Sequence, residues 1–385
     1  MSLVILLVAA FLSVQQPPVA QVGATLPDWQ EGLLDIHAVN TGRGECTFII
    51  YPDGTTLLVD AGDLLGYKPS KYESVPARPS DEEEPWQVYA DYILHFLPEG
   101  HHRLDYCVVT HYHMDHYGHI GEGRKMHPDG GYALAGPMGL YSRVPFDRII
   151  DRSWPFYPDD KDRITLKNYR KFIQYNSEHN GLVAERFNVG TDKQLAPLYH
   201  PESYPDFRVF GYAASGMAWN GDAVVDTKAQ HENGLSCAFL LSYGKFDYFT
   251  SGDMNQQGTC KVVAKAIGRN IEAMKSHHHM SNEASYAIEA EAYQPKVVVT
   301  QSFYERDIQP NRNIIKEYSG KQDMFFTNLP MTFVKASPEI YEDCKCEGGH
   351  IVIRVASEGD FFVYVLDDTD KDYKVKSIYG PYKSE

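Results

Sequence analysis

The segment Thr110-His111-Tyr112-His113-Met114-Asp115-His116 puts three imidazoles and a carboxylate within six consecutive positions. Neutral imidazole and carboxylate are the ligands that suit zinc and similar first-row divalent ions. In an extended segment alternate side chains share a face, so His111 and His113 point the same way. A turn after them brings Asp115 and His116 to a neighbouring point. This geometry serves two adjacent cations better than one. Two ions about 3.5–4 Å apart lower the pKa of a shared water, so that a bridging hydroxide is available near neutral pH. They also stabilise charge on a scissile phosphoryl or carbonyl oxygen.

Such a cluster needs a rigid support. The apolar run Leu104–Val109 reads as a buried strand that delivers the chain into the histidines. Upstream, Leu34–Val39, Cys46–Tyr51 and Thr56–Asp60 read as three strands, with a turn at Pro52-Asp53-Gly54 and a stop at Ala61-Gly62-Asp63. Helices are predicted over Trp86–Phe96, Ile164–Tyr175, Cys260–Ile267, Glu283–Tyr293 and Asn311–Tyr318. Strands are predicted at Ser236–Leu241, Phe246–Thr250 and Lys296–Thr300. His350–Val355 and Phe361–Leu366 form a hairpin turning at Glu358-Gly359-Asp360. The aromatic-rich stretch Gly121–Gln230, with one helix and several short strands, is expected to shape a substrate pocket. Strands mixed with helices place the chain in the α/β class.

The chain of 385 residues carries 36 Lys+Arg against 52 Asp+Glu, a net charge of -16. That balance excludes an extended nucleic-acid surface and adhesion to anionic membrane, but not a small anionic substrate held by local cations. The run Leu3–Leu12 is too short to span a bilayer and suits a signal-peptide core, with Ala20 and Ala24 as small residues for cleavage. No later run is long enough for a membrane span. The expected division is a signal peptide at 1–24, a catalytic domain at 25–335 and a C-terminal β extension at 336–385, in a secreted or periplasmic protein. Six cysteines are too few for a disulfide scaffold, although Cys344 and Cys346 could pair in an oxidising compartment.

Several segments, in order, resemble the metallo-β-lactamase fold hydrolases. Leu58-Val-Asp60-Ala-Gly62 is similar to the early strand-to-turn motif of that superfamily, and the HxHxDH segment follows it. His231-Glu-Asn-Gly-Leu-Ser236 is similar to the third metal motif, Ser251-Gly-Asp253 to the fourth, and Ser276-His-His-His279 to the last. Asn40-Thr-Gly-Arg-Gly-Glu45 and Lys275-Ser-His-His-His-Met-Ser281 resemble, within it, the hydrolase domain of competence channels and the neighbouring phosphorylcholine esterases. Glu45 replaces the Asp of that pattern, and Met280 the glycine of its HHG segment.

The resemblance implies a four-layer αββα sandwich with a pair of ions at one edge. It assigns His111, His113 and His231 to the first ion. Asp115, His116 and His278, chosen from three consecutive histidines, take the second, and Asp253 bridges both. Asp60 is expected to orient a ligand histidine, and Asp115 or Asp253 the attacking water. Two zinc ions are the expected cofactor, with manganese or iron as alternatives. The function implied is an exported binuclear hydrolase of a phosphodiester or related phosphorylated small molecule. The competing readings are a hydrolase of a carbonyl substrate (β-lactam, lactone or thioester) and a non-catalytic metal-binding module.

Overall fold

The apolar runs of the first third close into a meander. β1 (Leu34–Ala38), β2 (Thr47–Ile50) and β3 (Thr56–Val59) pair antiparallel, with Ile36 opposite Ile49 and Phe48 opposite Leu58. This is seen in a computed structural model that describes residues 20–67, 73–158, 164–284, 286–345 and 348–385. The expected signal-peptide core and Cys346 lie outside those residues. The chain continues through a two-residue β4 (Glu73–Ser74), α1 (Pro85–Phe96), β5 (Leu104–Val109), α2 (Met114–Tyr117), α3 (Gly136–Leu140), β6 (Phe146–Asp151), α4 (Ile164–His179) and β7 (Val183–Arg186). β3, β5, β6 and β7 run parallel.

The second half contributes β8 (Phe207–Ala214), β9 (Met217–Trp219), β10 (Val224–Asp226), β11 (Ala238–Tyr243), β12 (Phe246–Thr250), α5 (Gln257–Ile267), β13 (Ala273–Lys275), α6 (Tyr286–Tyr293), β14 (Val297–Thr300), β15 (Tyr304–Glu305), α7 (Arg312–Tyr318), β16 (Asp323–Phe326) and α8 (Met331–Ala336). It ends with β17 (His350–Val355), β18 (Phe361–Leu366) and β19 (Val375–Tyr382). The strands sort into a nine-stranded sheet, β19-β18-β17-β1-β2-β3-β5-β6-β7, and an eight-stranded sheet, β10-β9-β8-β11-β12-β13-β14-β16.

Alternation along each strand decides the layering. On β1, Leu34, Ile36 and Ala38 face the second sheet, where they pack with Val209, Phe239, Leu241, Val297 and Phe325. The intervening Asp35 and His37 point outward, and His37 Nδ1 lies 2.9 Å from Tyr92 Oη on α1. Helices cover both outer faces. Trp86, Tyr89 and Ile93 of α1, with Tyr169 and Phe172 of α4, lie on the first sheet. Val263 and Ile267 of α5, with Ile315 of α7, lie on the second. The result is the expected four-layer αββα sandwich.

Two segments differ from expectation in extent. The hairpin forms as predicted, His350 opposite Leu366 and Val355 opposite Phe361, but β19 extends it and β17 pairs with β1. The C-terminal segment thus supplies three strands of the nine-stranded sheet. The stretch Gly121–Gln230 supplies strands to both sheets and the helix α4, so most of it is framework. Some of its aromatic side chains bond inward: Tyr157 and Tyr169, together with Tyr112, direct their hydroxyls to the Asp151 carboxylate at 2.7–3.1 Å.

The seam between β1 and β17 holds a buried ion pair. Arg354 stands directly opposite Asp35 and donates to it twice, from Nε at 2.8 Å and Nη2 at 2.6 Å, while Nη1 reaches the Pro27 carbonyl at 2.7 Å. Burial raises the Asp35 carboxyl, but the guanidinium and its hydrogen bonds outweigh that and hold it at about 2. The folded-state value is depressed, so the stabilisation is complete above the unfolded value of ~3.9 and is lost as pH falls through the folded value. Arg354→Met strands a buried carboxylate and is expected to destabilise the protein by about 3–5 kcal/mol in urea titrations at neutral pH. The same variant should lose this pair's share of the stability change between about pH 4 and pH 2. Equal stability of the two proteins would refute the assignment.

Candidate metal centre

Carboxyl ends of strands from both sheets meet at one edge of the sandwich. Asp60 ends β3, Thr110 to His113 follow β5, Ser251 to Asp253 follow β12, and Ser276 to His279 follow β13. Parallel strands leave crevices at their carboxyl ends, which is where ligands of α/β sheets collect. α2, with His113 at its N-cap, turns the chain so that Asp115 and His116 face back toward the sheets. The turn packs so closely on the β3 end that a Cβ at Gly62 would lie 1.8 Å from the Asp115 carbonyl oxygen. Only glycine fits there.

Asp60 organises the histidines. Its carboxylate accepts from Thr110 N at 2.8 Å and Thr110 Oγ1 at 2.7 Å, and His116 Nδ1 lies 2.8 Å from Oδ2. With its own proton committed to Asp60, Thr110 Oγ1 accepts from His111 Nδ1 at 3.1 Å. His279 Nδ1 reaches the Gln301 carbonyl at 2.9 Å. Three Nδ1 protons are thereby fixed, and three Nε2 lone pairs are aimed inward, the usual support of metal-bound imidazole.

Those lone pairs converge on a single carboxylate oxygen. Asp253 Oδ2 is 3.2 Å from His116 Nε2, 3.4 Å from His279 Nε2, 3.7 Å from His111 Nε2 and 3.9 Å from His278 Nε2. His113 Nδ1 lies 3.2 Å from His111 Nε2, and Asp115 Oδ2 lies 3.4 Å from His279 Nε2. Two donor groups result, each with its atoms within 4.8 Å of one another: His111, His113 and Asp253, and Glu45, His116, Asp253 and His279. Asp253 belongs to both. His116 Nε2, His279 Nε2 and Asp253 Oδ1 are buried with no hydrogen bond among the described residues. Buried, orphaned nitrogens around a shared carboxylate fit a pair of divalent ions.

Charge balance points the same way. Four carboxylates, Glu45, Asp60, Asp115 and Asp253, face one ammonium, Lys275, whose Nζ is 2.9 Å from Glu45 Oε2 and 3.7 Å from Asp253 Oδ1. Burial alone would lower His116, but Asp253, Glu45 and Asp60 outweigh it and raise that imidazole well above its usual range. His279 is likewise raised to about 9 against the effect of burial, chiefly by Asp253. His111 goes the other way, lowered by burial and by the neighbouring His116. Protons and metal ions compete for these nitrogens, so metal uptake releases protons.

Five expected ligands, His111, His113, Asp115, His116 and Asp253, come together. His231 does not. The turn that carries it exposes its side chain and sends Glu232 inward instead, to Arg152 (2.7 and 2.9 Å) and to Tyr112 N at 2.8 Å. Asn233, two residues on, reaches the His278 ring at 3.1 Å. Within the histidine run, His279 joins the second donor group, while His278 stays nearer the rim at 13% exposure. Consecutive side chains diverge in an extended strand, but this run is not extended. His278, His279 and Met280 have φ of 47°, 52° and 58°, a left-handed turn that lets both rings approach Asp253. Three such non-glycine residues cost roughly 1–3 kcal/mol each, strain of the kind found at functional sites. Glu45 and Lys275 received no role from the sequence, and His279 stood there only as an alternative to His278. The signal available was a lone lysine ending the otherwise apolar run Ala273-Met274.

No protein-family model and no curated protein sequence matches this chain. Solved structures similar to it include the following three. A mutant of the CmlA β-hydroxylase has 14% identity and a TM-score of 0.34 over 69% of this chain, which spans 45% of that one. Zn(2+)-bound PqqB from Methylobacterium extorquens has 11% identity and a TM-score of 0.37, covering 77% of this chain and 83% of that one. Unliganded yeast PDE1 has 12% identity and a TM-score of 0.32, covering 76% and 96%. Likeness at this level bears on neither substrate nor ligand set.

Substitutions separate the histidines. Competition with a chromophoric chelator should show His279→Ala losing bound metal and His231→Ala binding like the parent. Asp60→Asn should weaken binding about 10–100-fold with the fold intact. A larger loss in His231→Ala than in His279→Ala would overturn the placement.

Proposed function

We propose that the protein is a binuclear metal-dependent hydrolase acting on a phosphodiester or related phosphorylated substrate. The observation that carries the reading is the Asp253 carboxylate, buried to 1% exposure and shared by the two donor groups. When bound, a pair of divalent ions lowers the pKa of water and polarises the scissile oxygen. We take the ions to be zinc, with manganese or iron as alternatives.

The chain's own residues have distinct duties. Asp253 holds the two donor groups at a fixed separation, and Lys275 steadies it, since its Nζ also donates to the Gly252 carbonyl at 2.6 Å. Asp115, at 19% exposure the most accessible carboxylate of the centre, orients the attacking water. His278 and Asn233, joined at 3.1 Å on the Asp253 side, hydrogen-bond the phosphoryl oxygens. Ser281 Oγ, 2.7 Å from His278 Nδ1, fixes that ring. The two ions and the Lys275 ammonium offset the four carboxylates, and the ions are the positive groups that would meet the oxygens of an anionic substrate. The apolar run Leu3–Leu12 supports export to a secreted or periplasmic location.

Turnover of bis(p-nitrophenyl) phosphate should be abolished by EDTA and restored by zinc. Asp253→Asn should reduce kcat by about 10²–10³-fold or more. Nitrocefin and a thioester run in parallel test a carbonyl substrate. Hydrolysis of either in preference to the diester would replace this reading, and no turnover with zinc, manganese or iron would remove it.

A further inference from the structure

Directly behind Asp253, a second set of chemically competent side chains is sealed from solvent. Cys260 lies on α5, Glu289 on α6, and His277 at the end of β13, each 0% exposed. One donor atom from each falls within 4.8 Å of the others. His277 Nδ1 is surrounded by oxygens: Ser251 Oγ at 2.7 Å, Met254 O at 3.2 Å and Glu289 Oε1 at 3.2 Å. Zinc ligands at bonds of roughly 2.0–2.3 Å stand ~3.3–3.6 Å apart in a tetrahedral shell, close to the spacing of His277 Nδ1 and Glu289 Oε1.

We propose that Cys260, His277 and Glu289 form a third, structural site for a borderline divalent ion such as zinc, distinct from the pair at Asp253. Thiolate, imidazole and carboxylate make a donor set matched to zinc. Two anionic ligands neutralise one divalent ion, which is what a fully buried pocket requires.

The placement gives the ion a duty. Ser251 precedes Gly252 and Asp253, and His277 precedes the left-handed turn at His278 and His279. An ion bound to α5, α6 and His277 would anchor both segments that aim donors into the catalytic centre. This site stands independently of the catalytic reading, because it would bind metal in a protein with any substrate or none.

The test uses the full chain stripped with a chelator and reloaded with cobalt(II) chloride. The catalytic pair has only nitrogen and oxygen donors, so a thiolate-to-cobalt charge-transfer band reports a cysteine ligand, and it should persist in Cys344→Ser, which removes the half-buried thiol. Elemental analysis should give three ions per chain, and Cys260→Ser should lose the band and one ion. Glu289→Gln should weaken binding of that ion while keeping the thiol. Asp253→Asn should keep the band, which separates failure of this site from failure of the pair. Cys46→Ser controls for the buried thiol next to Glu45 and should leave the band unchanged. If Cys260→Ser does not fold, the parent protein and Cys46→Ser still decide. Two ions with no thiolate band, no cobalt bound, or a band that follows Cys46 would each overturn the proposal.

Discussion

Imidazole lone pairs aimed at a carboxylate oxygen repel one another unless something positive lies among them. This constraint governs the functional edge of the molecule. Asp60, directly and through Thr110, and the Gln301 carbonyl commit the Nδ1 protons of His116, His111 and His279. Their Nε2 atoms are left directed at Asp253 Oδ2 from 3.2 to 3.7 Å away. Protons can relieve the repulsion singly. A pair of divalent ions relieves it together and also answers the excess of carboxylates over ammonium.

The sandwich exists in a form that can meet this constraint. Strand ends from both sheets must reach the same edge, and every close approach is made by backbone that tolerates it. Gly62 admits the Asp115 turn, and Gly252, at φ +53, tucks against Thr110, where a Cβ would lie 2.6 Å from Oγ1. The left-handed turn at His278 to Met280 has no such licence. It is held by what surrounds it: Ser281 on the His278 ring, Gln301 on the His279 ring, and the buried Cys260–His277–Glu289 group behind. Strain in the turn and rigidity of its support are two sides of one arrangement.

What the sequence disclosed follows from how local each signal is. HxHxDH is legible because strand alternation and one turn suffice to place its side chains, and Asp60 because it ends a recognisable strand. His279 is not, because the backbone of the run departs from the extended form that an apolar strand leading into it suggests. His231 has the right type of residue at a plausible place, yet the turn gives the inward position to Glu232, which has Arg152 and the Tyr112 amide as partners. Glu45 and Lys275 meet across about 230 positions of chain, a contact no local pattern announces. The same limit hid the pairing of the C-terminal hairpin with β1, and the bonding of Tyr157 and Tyr169 to the buried Asp151.

Anomalous diffraction at the zinc edge, on crystals of the zinc-loaded protein, tests the central claim most directly. Two strong peaks should flank Asp253 Oδ2, one within bonding distance of His111 and His113 and the other of His116 and His279. No density beside Asp253, or imidazole rings turned so that Nε2 faces away from it, would contradict the account.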